Sequence, residues 1–320
     1  MRRRHVELGG MKVFVSPVTD PMVNMGLESF FLNLFEGEGC LVYRNASCVV
    51  IGKNQNPYRE VDVSFCKRLA LPVLRRISGG GTVYHDLGNI NTAFFGKRSG
   101  IADNLYERWT ESLIAFLKSL RLVAERDGRN GLELLGRKIS GSAQALKQHR
   151  FLHHATLLFS SDLVSLEASI HPIPGLVEGR GISSHRSPVT NILNHWDGSD
   201  NVDFFQSQLV DFLLSNLGQA EVSEIPNESG IYVQECVKDQ FDQWEWNIAR
   251  TPPFQLRLPV AGGVLVLDIN KGIIRSCVAE TVSDSTQIDV ESLVGESFVE
   301  ETLFKKGIAK ICPDIGNLIL

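Results

Sequence analysis

Arg75-Arg-Ile-Ser-Gly-Gly-Gly-Thr-Val-Tyr-His-Asp86 joins one strand-like run, Leu74–Ser78, to another, Thr82–Tyr84, through three consecutive glycines. Three glycines remove every side chain from the loop, so its backbone can turn through positive φ and its N–H groups can converge on an anion. Two arginines precede the glycines and Ser78 opens them, adding a hydroxyl donor and a planar cation able to form paired hydrogen bonds. Alone, a triple glycine reads as a hairpin turn; between Arg-Arg-Ile-Ser and Val-Tyr-His-Asp it is far more specific. No Gly-Lys-Ser/Thr follows, which excludes a Walker A loop. The third glycine is wrongly placed for a dinucleotide fingerprint, and no helix opens there.

Outward from this loop the pattern is strand-rich. Met11–Val15, Cys40–Tyr43, Cys48–Ile51 and Ile90–Phe95 read as strands, and further strands fill about Leu132 to Phe159. Helical spacing is expected over Pro21–Phe35, Val61–Ala70, Asp103–Leu122 and Asp203–Leu217. Pro172, Pro174, Gly175, Gly179 and Gly181 mark a long irregular connection. Hairpins with interspersed helices, without βαβα alternation, predict an α+β fold with a mixed or antiparallel sheet flanked by helices. Trp244-Glu-Trp246 and Thr251-Pro-Pro253 suggest a stiffened connector. The expected division is a large domain over 1–246 and a small α+β domain over 254–320, the latter opening with strands 254–259, 263–269 and 272–279 around a turn at Asn270-Lys-Gly272.

Composition narrows the function. With 43% hydrophobic and 22% charged residues the chain reads as a soluble globular protein, and no apolar run approaches the roughly 20 residues of a membrane span. A net charge of −5 supplies no general attraction for nucleic acid or anionic membrane, so contact with an anion must be local. The six cysteines form no CxxC pair, which argues against a zinc site or disulfide framework, and no metal-ligand set stands out. Met1-Arg-Arg-Arg4 leads almost at once into a strand, leaving no room for a secretory segment; the expected location is the cytoplasm, with the mitochondrion as the alternative.

Two further clusters carry chemistry. Gly128-Arg-Asn-Gly131 precedes Gly136-Arg-Lys-Ile-Ser-Gly-Ser-Ala143, where Lys138 stands beside residues small enough for a ligand to lie against the backbone. The bland reading is a surface hairpin with a solvated lysine. In Phe151-Leu-His-His-Ala-Thr-Leu-Leu-Phe159, strand alternation puts His154 and Thr156 on one face and His153 on the other, so the two histidines cannot easily share a metal.

In this order and at these separations the segments resemble the lipoate–protein ligase A and lipoyltransferase family. The resemblance is carried by Arg76-Ile-Ser-Gly-Gly-Gly-Thr-Val-Tyr-His-Asp-Leu-Gly-Asn-Ile-Asn91, Lys138-Ile-Ser-Gly-Ser-Ala143, His153-His-Ala-Thr-Leu157 and the junction Trp244-Glu-Trp-Asn247 with Thr251-Pro-Pro-Phe254. It implies a biotin/lipoate ligase-type catalytic domain with a central mixed sheet. It also implies activation of lipoate or octanoate by ATP and Mg²⁺ as an acyl-adenylate, followed by transfer to an acceptor lysine. The implied acceptors are lipoyl domains of 2-oxo acid dehydrogenase E2 subunits and the glycine-cleavage H protein, with no nucleic acid or membrane partner. Carried over by position, Lys138 is the catalytic lysine, contacting the acyl carbonyl and the α-phosphate. Arg76, Ser78, Gly79, Gly80 and Gly81 surround the lipoyl carboxyl and nucleotide. His85, Asn89 and Asn130 line the adenylate pocket, and Arg76, Val83, His154 and Thr156 contact the lipoyl group.

The pattern is broken at Gly131, where ATP-using members usually carry an aspartate after the asparagine. A transferase that takes lipoyl from a preformed adenylate or a carrier protein is therefore the alternative. A binding protein that has lost catalysis is a third reading, against which Lys138, Arg76 and the intact glycine loop argue. No cysteine occurs between Cys66 and Cys236, which argues against the cysteine thioester route of octanoyltransferases.

Overall fold

The computed structural model describes residues 11–98, 105–129, 131–172, 176–179, 181–217, 222–260, 263–280, 290–306, 308, 312 and 318–320. In chain order its first elements are β1 (Lys12–Val15), α1 (Pro21–Asn33), β2 (Gly39–Tyr43), β3 (Cys48–Ile51), α2 (Val63–Arg68), β4 (Val73–Arg75), β5 (Val83–His85), β6 (Asn89–Lys97) and α3 (Leu105–Ser119). There follow β7 (Glu125–Arg126), β8 (Leu132–Leu134), β9 (Arg137–Ser140), β10 (Ser142–Lys147), β11 (Arg150–Leu158), α4 (Leu163–Ser169) and β12 (Val177–Gly179). The chain continues through α5 (Val202–Leu217), α6 (Ser229–Cys236), β13 (Phe254–Val260), β14 (Gly263–Asn270), β15 (Ile273–Glu280) and α7 (Glu300–Lys305). The expected helix start at Asp103 lies outside the described residues. The chain forms two compact units, each assembled from three segments: 1–47, 85–163 and 186–237 in the first, 48–84, 164–185 and 238–320 in the second.

The first unit is built on a five-stranded sheet of order β1-β2-β6-β11-β10, in which β1 and β2 run parallel and every other pair is antiparallel. This is the mixed sheet that the strand pattern predicts. Phe94 and Phe95 show why both faces must be covered, since successive strand residues point to opposite sides. Phe94 stacks on Trp109 of α3 with centroids 4.4 Å apart, while Phe95 stacks on Phe31 of α1 at 4.2 Å. Trp109, Phe116, Phe205 and Leu209 complete the core on the α3–α5 side, and Phe14 joins Phe31 and Phe95 on the α1 side. α1 starts where Asp20 accepts the N–H groups of Met22 and Val23, with proline in the first turn. β8 and β9 form a hairpin whose turn residues Leu135 and Gly136 both have positive φ, 50° and 73°, as a two-residue hairpin turn requires.

The second unit holds a small sheet of order β4-β3-β5 and an antiparallel sheet of order β12-β13-β14-β15. The turn at Asn270-Lys-Gly272 is present, with Lys271 and Gly272 at φ 53° and 70°. Tyr58 stacks on Phe254 at 5.3 Å, and Phe298 packs edge-on against both. α2 is shorter than expected, because Asp62 caps it at one end and Ala70 turns left-handed beyond the other, at φ 50°.

Two elements have no counterpart in the sequence pattern. α6 buries only Ser229 and Val233 and exposes Ile231, so it offers no helical apolar period. The tract read as a connector contains two π-helical turns, Val237–Phe241 and Glu245–Ala249. No helix among the described residues is long and apolar enough to cross a membrane.

Candidate active site

In the second unit the triple-glycine loop joins β4 to β5. The two arginines before it have different jobs. Arg75 is fully buried and donates to the carbonyls of Gly52, Lys53, Gln55, Trp246 and Asn247 and to Thr251 Oγ1. Burial, with Arg250 adding repulsion, lowers its pKa to about 10, so the group stays a cation near neutrality. Arg76 is turned into the loop itself: Nε donates to Ser78 Oγ at 2.9 Å, and the terminal nitrogens donate to the carbonyls of Gly79, Gly81 and Val50. Its charge thereby sets the curvature of the glycines.

The loop also needs space that side chains would fill. A Cβ at position 52 would lie 2.1 Å from the Gly80 carbonyl oxygen, and Gly80 has φ 85°. A Cβ at position 79 meets nothing within 4 Å, so this glycine faces open space. Gln55, Glu60 and Ser184 brace the loop: Thr82 N donates to Ser184 Oγ (2.8 Å), and Thr82 Oγ1 and Gly52 N donate to Gln55 Oε1 (2.9 and 2.8 Å). Ser184 Oγ in turn donates to Glu60. Val83 is half-buried on β5. The three bracing residues carry no sequence motif; chain folding alone brings them to the loop.

In the first unit the candidate residues sit on the α1 side of the central sheet. Cross-strand partners share a face, and the register pairs Tyr43 with Asn91, Asn91 with Thr156, and Ala93 with His154. A polar row of Tyr43, Asn91 and Thr156 thus crosses the sheet, with Asn89 donating to Asn91 Oδ1 at 3.0 Å. The buried Glu28 of α1 reaches this face, taking the Tyr43 hydroxyl at 2.8 Å and His154 Nδ1 at 3.0 Å. The carboxylate therefore fixes the His154 ring with Nδ1 protonated. His153 points the other way and is fully buried, accepting from Gln144 Nε2 at 3.1 Å. Burial, reinforced by His154, drives its pKa down to about 3, so it stays neutral.

Thr156 ties the histidine strand to the lysine segment: Gly141 N donates to Thr156 Oγ1 at 3.0 Å, and Thr156 N donates to Gly141 O at 2.9 Å. Three residues before Gly141, Lys138 lies on β9, its backbone bonded to Pro188 O and to Thr190 N. Its Nζ donates to Asp127 Oδ2 at 3.0 Å, and the side chain is three-quarters buried. His85 is held differently: Asn24 Nδ2 donates to Asn45 Oδ1 (2.8 Å), which leaves Asn45 Nδ2 to donate to His85 Nδ1 (3.0 Å). The His85 proton therefore resides on Nε2. Asn130 lies outside the described residues. Glu28, Tyr43, Asn45 and Asp127 were not foreseen; only Asp127, beside Gly128-Arg-Asn-Gly131, stood next to a legible motif.

The sequence profile of the lipoyl protein ligase A/B catalytic domain matches residues 20–214. The chain is 33% identical to lipoate–protein ligase LplJ of Bacillus subtilis over 268 residues, covering 81% of each chain. Its fold is similar to that of a bi-partite lipoate protein ligase from Thermoplasma acidophilum solved in a study with its E2 lipoyl domain. That match has TM-score 0.64 and 22% identity, covering 75% of this chain and 96% of that one. A lipoate–protein ligase A bound with ATP superposes with TM-score 0.63 at 23% identity, covering 75% and 98%. A catalytic-domain match over more than half of the chain, joined to a third of residues shared with a ligase along four-fifths of its length, leaves one assignment: this chain belongs to the lipoyl protein ligase A/B family.

Proposed function

We propose that this protein is a lipoate–protein ligase, which activates lipoate or octanoate with ATP to the acyl-adenylate and passes the acyl group to a specific lysine of a lipoyl-domain acceptor. The observation that carries the reading is Lys138, an ammonium fixed by a carboxylate on a strand braced at both backbone atoms. In the first step a carboxylate oxygen of the acid attacks the α-phosphorus and pyrophosphate leaves. In the second the acceptor amine attacks the acyl carbon, AMP leaves and the amine loses a proton. The first step builds negative charge at the α-phosphate, and the second builds it on the carbonyl oxygen and the departing α-phosphate together, where one fixed ammonium stabilises both. Arg76, Ser78, Gly79, Gly80 and Gly81 act at the acyl carboxyl and nucleotide; His85, Asn89 and Asn130 contact the adenylate; Arg76, Val83, His154 and Thr156 contact the acyl chain. Residues 1–246 form the catalytic part and 254–320 an accessory part.

Among the described residues no group of three His, Cys, Asp or Glu side chains could hold a metal. Mg²⁺ needs no such cage, since it binds through one or two carboxylates plus substrate phosphates; it enters as MgATP and neutralises charge on the phosphates. The acceptors are E2 lipoyl domains, in keeping with the partner of the Thermoplasma ligase, and the glycine-cleavage H protein, with the reaction in the cytoplasm.

The test is lipoate-dependent ATP–pyrophosphate exchange by the full chain without acceptor. Exchange is expected, falling about 10²–10³-fold in Lys138→Ala. No exchange, with acyl transfer from supplied lipoyl-AMP, would replace this reading by that of a transferase.

A further inference from the structure

The loop 127–131 is closed on itself: Asp127 N donates to Gly131 O at 3.1 Å, and Asp127 Oδ1 accepts from Arg129 N at 2.7 Å and from Gly131 N at 2.8 Å. One carboxylate oxygen is thus bound into the loop. The other, Oδ2, is aimed at Lys138 Nζ, 3.0 Å away, with the Asp127 side chain only 9% exposed. The lysine cannot choose its position freely, because β8 and β9 pair Glu133 with Lys138 and its backbone is also bonded to the 188–190 segment. Backbone and ammonium are therefore fixed from two independent sides.

Gly131 is part of the same device. A Cβ built at position 131 would stand 2.3 Å from Asp127 Oδ2 and 2.6 Å from the Ser140 carbonyl oxygen. The Asp127 carboxylate already fills the space into which a side chain at 131 would project. A side chain at 131 and the Asp127 carboxylate therefore exclude each other in this loop.

We propose that Asp127 is the positioning residue for Lys138: it supplies from position 127 the carboxylate missing at 131, and holds the lysine ammonium where the acyl carbonyl and α-phosphate develop charge. The assignment rests on the proposed ligase reaction. Burial opposes ionisation of Asp127, but the Gly131 N–H, Lys138 and the Arg129 N–H outweigh it and hold the carboxyl below its usual range, so the charged pair persists at neutral pH. An ammonium misplaced by about 1 Å loses on the order of 10²-fold in rate, so a carboxylate that only positions it should act on turnover more than on binding.

The test compares the full chain with its Asp127→Asn variant, in which the amide oxygen can still accept from Arg129 and Gly131 while the charge facing Lys138 is removed. Pyrophosphate exchange gives kcat and KM. Lysine side-chain NMR, with Lys138 identified by its absence in Lys138→Met, reports the pair directly. The variant is expected to lose tenfold or more in kcat, roughly 10- to 100-fold, with KM for lipoate and MgATP within about threefold, and its Lys138 resonance should move to the position of solvated lysines. Unchanged kcat, or a Lys138 resonance that does not move in a variant folded by circular dichroism, overturns the proposal. The two readings fail separately: absence of exchange in the unmodified chain strikes the ligase reaction, while the resonance still decides the Asp127–Lys138 pair.

Discussion

His153 and His154 are neighbours with opposite fates, and the difference is burial. His154 meets a carboxylate and reaches the polar row; His153 is sealed between Gln144 and the edge of the Tyr106 ring. Its pKa falls from 6.5 to about 3, with burial the main cause. The unfolded chain therefore binds a proton that the folded chain rejects throughout that interval. The stability from keeping His153 neutral is complete above about pH 6.5 and is lost as pH falls toward 3. Urea midpoints at pH 7.5 and 4.5 test this. The unmodified protein should lose about 2–3 kcal/mol more on acidification than His153→Asn, and equal losses would contradict it.

At the scale of elements, the glycine loop is shaped by what surrounds it as much as by its own freedom. Arg76 holds it through the Gly79 and Gly81 carbonyls and ties it to Val50 of β3, and Ser184, Gln55 and Glu60 hold the strand that leaves it. Gly52 belongs to another loop, yet its missing Cβ is what lets the Gly80 carbonyl approach. Gly52→Ala is expected to destabilise by about 1–3 kcal/mol through overpacking against backbone. Gly79→Ala, facing open space at an ordinary φ, should stay within about 0.5 kcal/mol. Chemical denaturation of both variants checks the contrast; equal effects would mean that the loop is not packed at Gly52.

At the scale of the whole molecule, chain order and compact units do not coincide. β12, from residues 177–179, pairs with β13, from 254–260, and Tyr58 stacks on Phe254, so the second unit draws on distant parts of the chain. Arg75 makes the dependence acute, since Asn247 and Thr251 supply several of its acceptors. A fragment ending at Trp246 would keep the Arg75 charge and remove those acceptors, leaving it the Gly52, Lys53, Gln55 and Trp246 carbonyls; a buried charge stripped of all its partners costs about 3–5 kcal/mol, which bounds the loss. Such a fragment is expected to lose the cooperative unfolding transition of the full chain. A fragment that unfolds cooperatively at the same urea concentration would show that the interleaved segments are dispensable.

Sequence by itself determined the elements with a strong local signature. Strand-like runs gave β6 and β11, helical spacing over Pro21–Phe35 gave α1, and Asn270-Lys-Gly272 gave the turn of the last hairpin. It also determined the family, because the glycine loop, the Lys138 segment and the paired histidines are contiguous in the chain and each keeps its residue types at fixed spacing. Tertiary structure alone decided which charges are available for chemistry. Arg75 and Arg76 look equivalent in sequence, yet one is locked among distant carbonyls and the other curls into its own loop. The pairing of Glu28 with His154, and of Asp127 with Lys138, links residues 126 and 11 positions apart. A carboxylate's partner depends on where two backbones meet after folding, and that distance is set by sheet register and core packing, not by any local preference written in the chain.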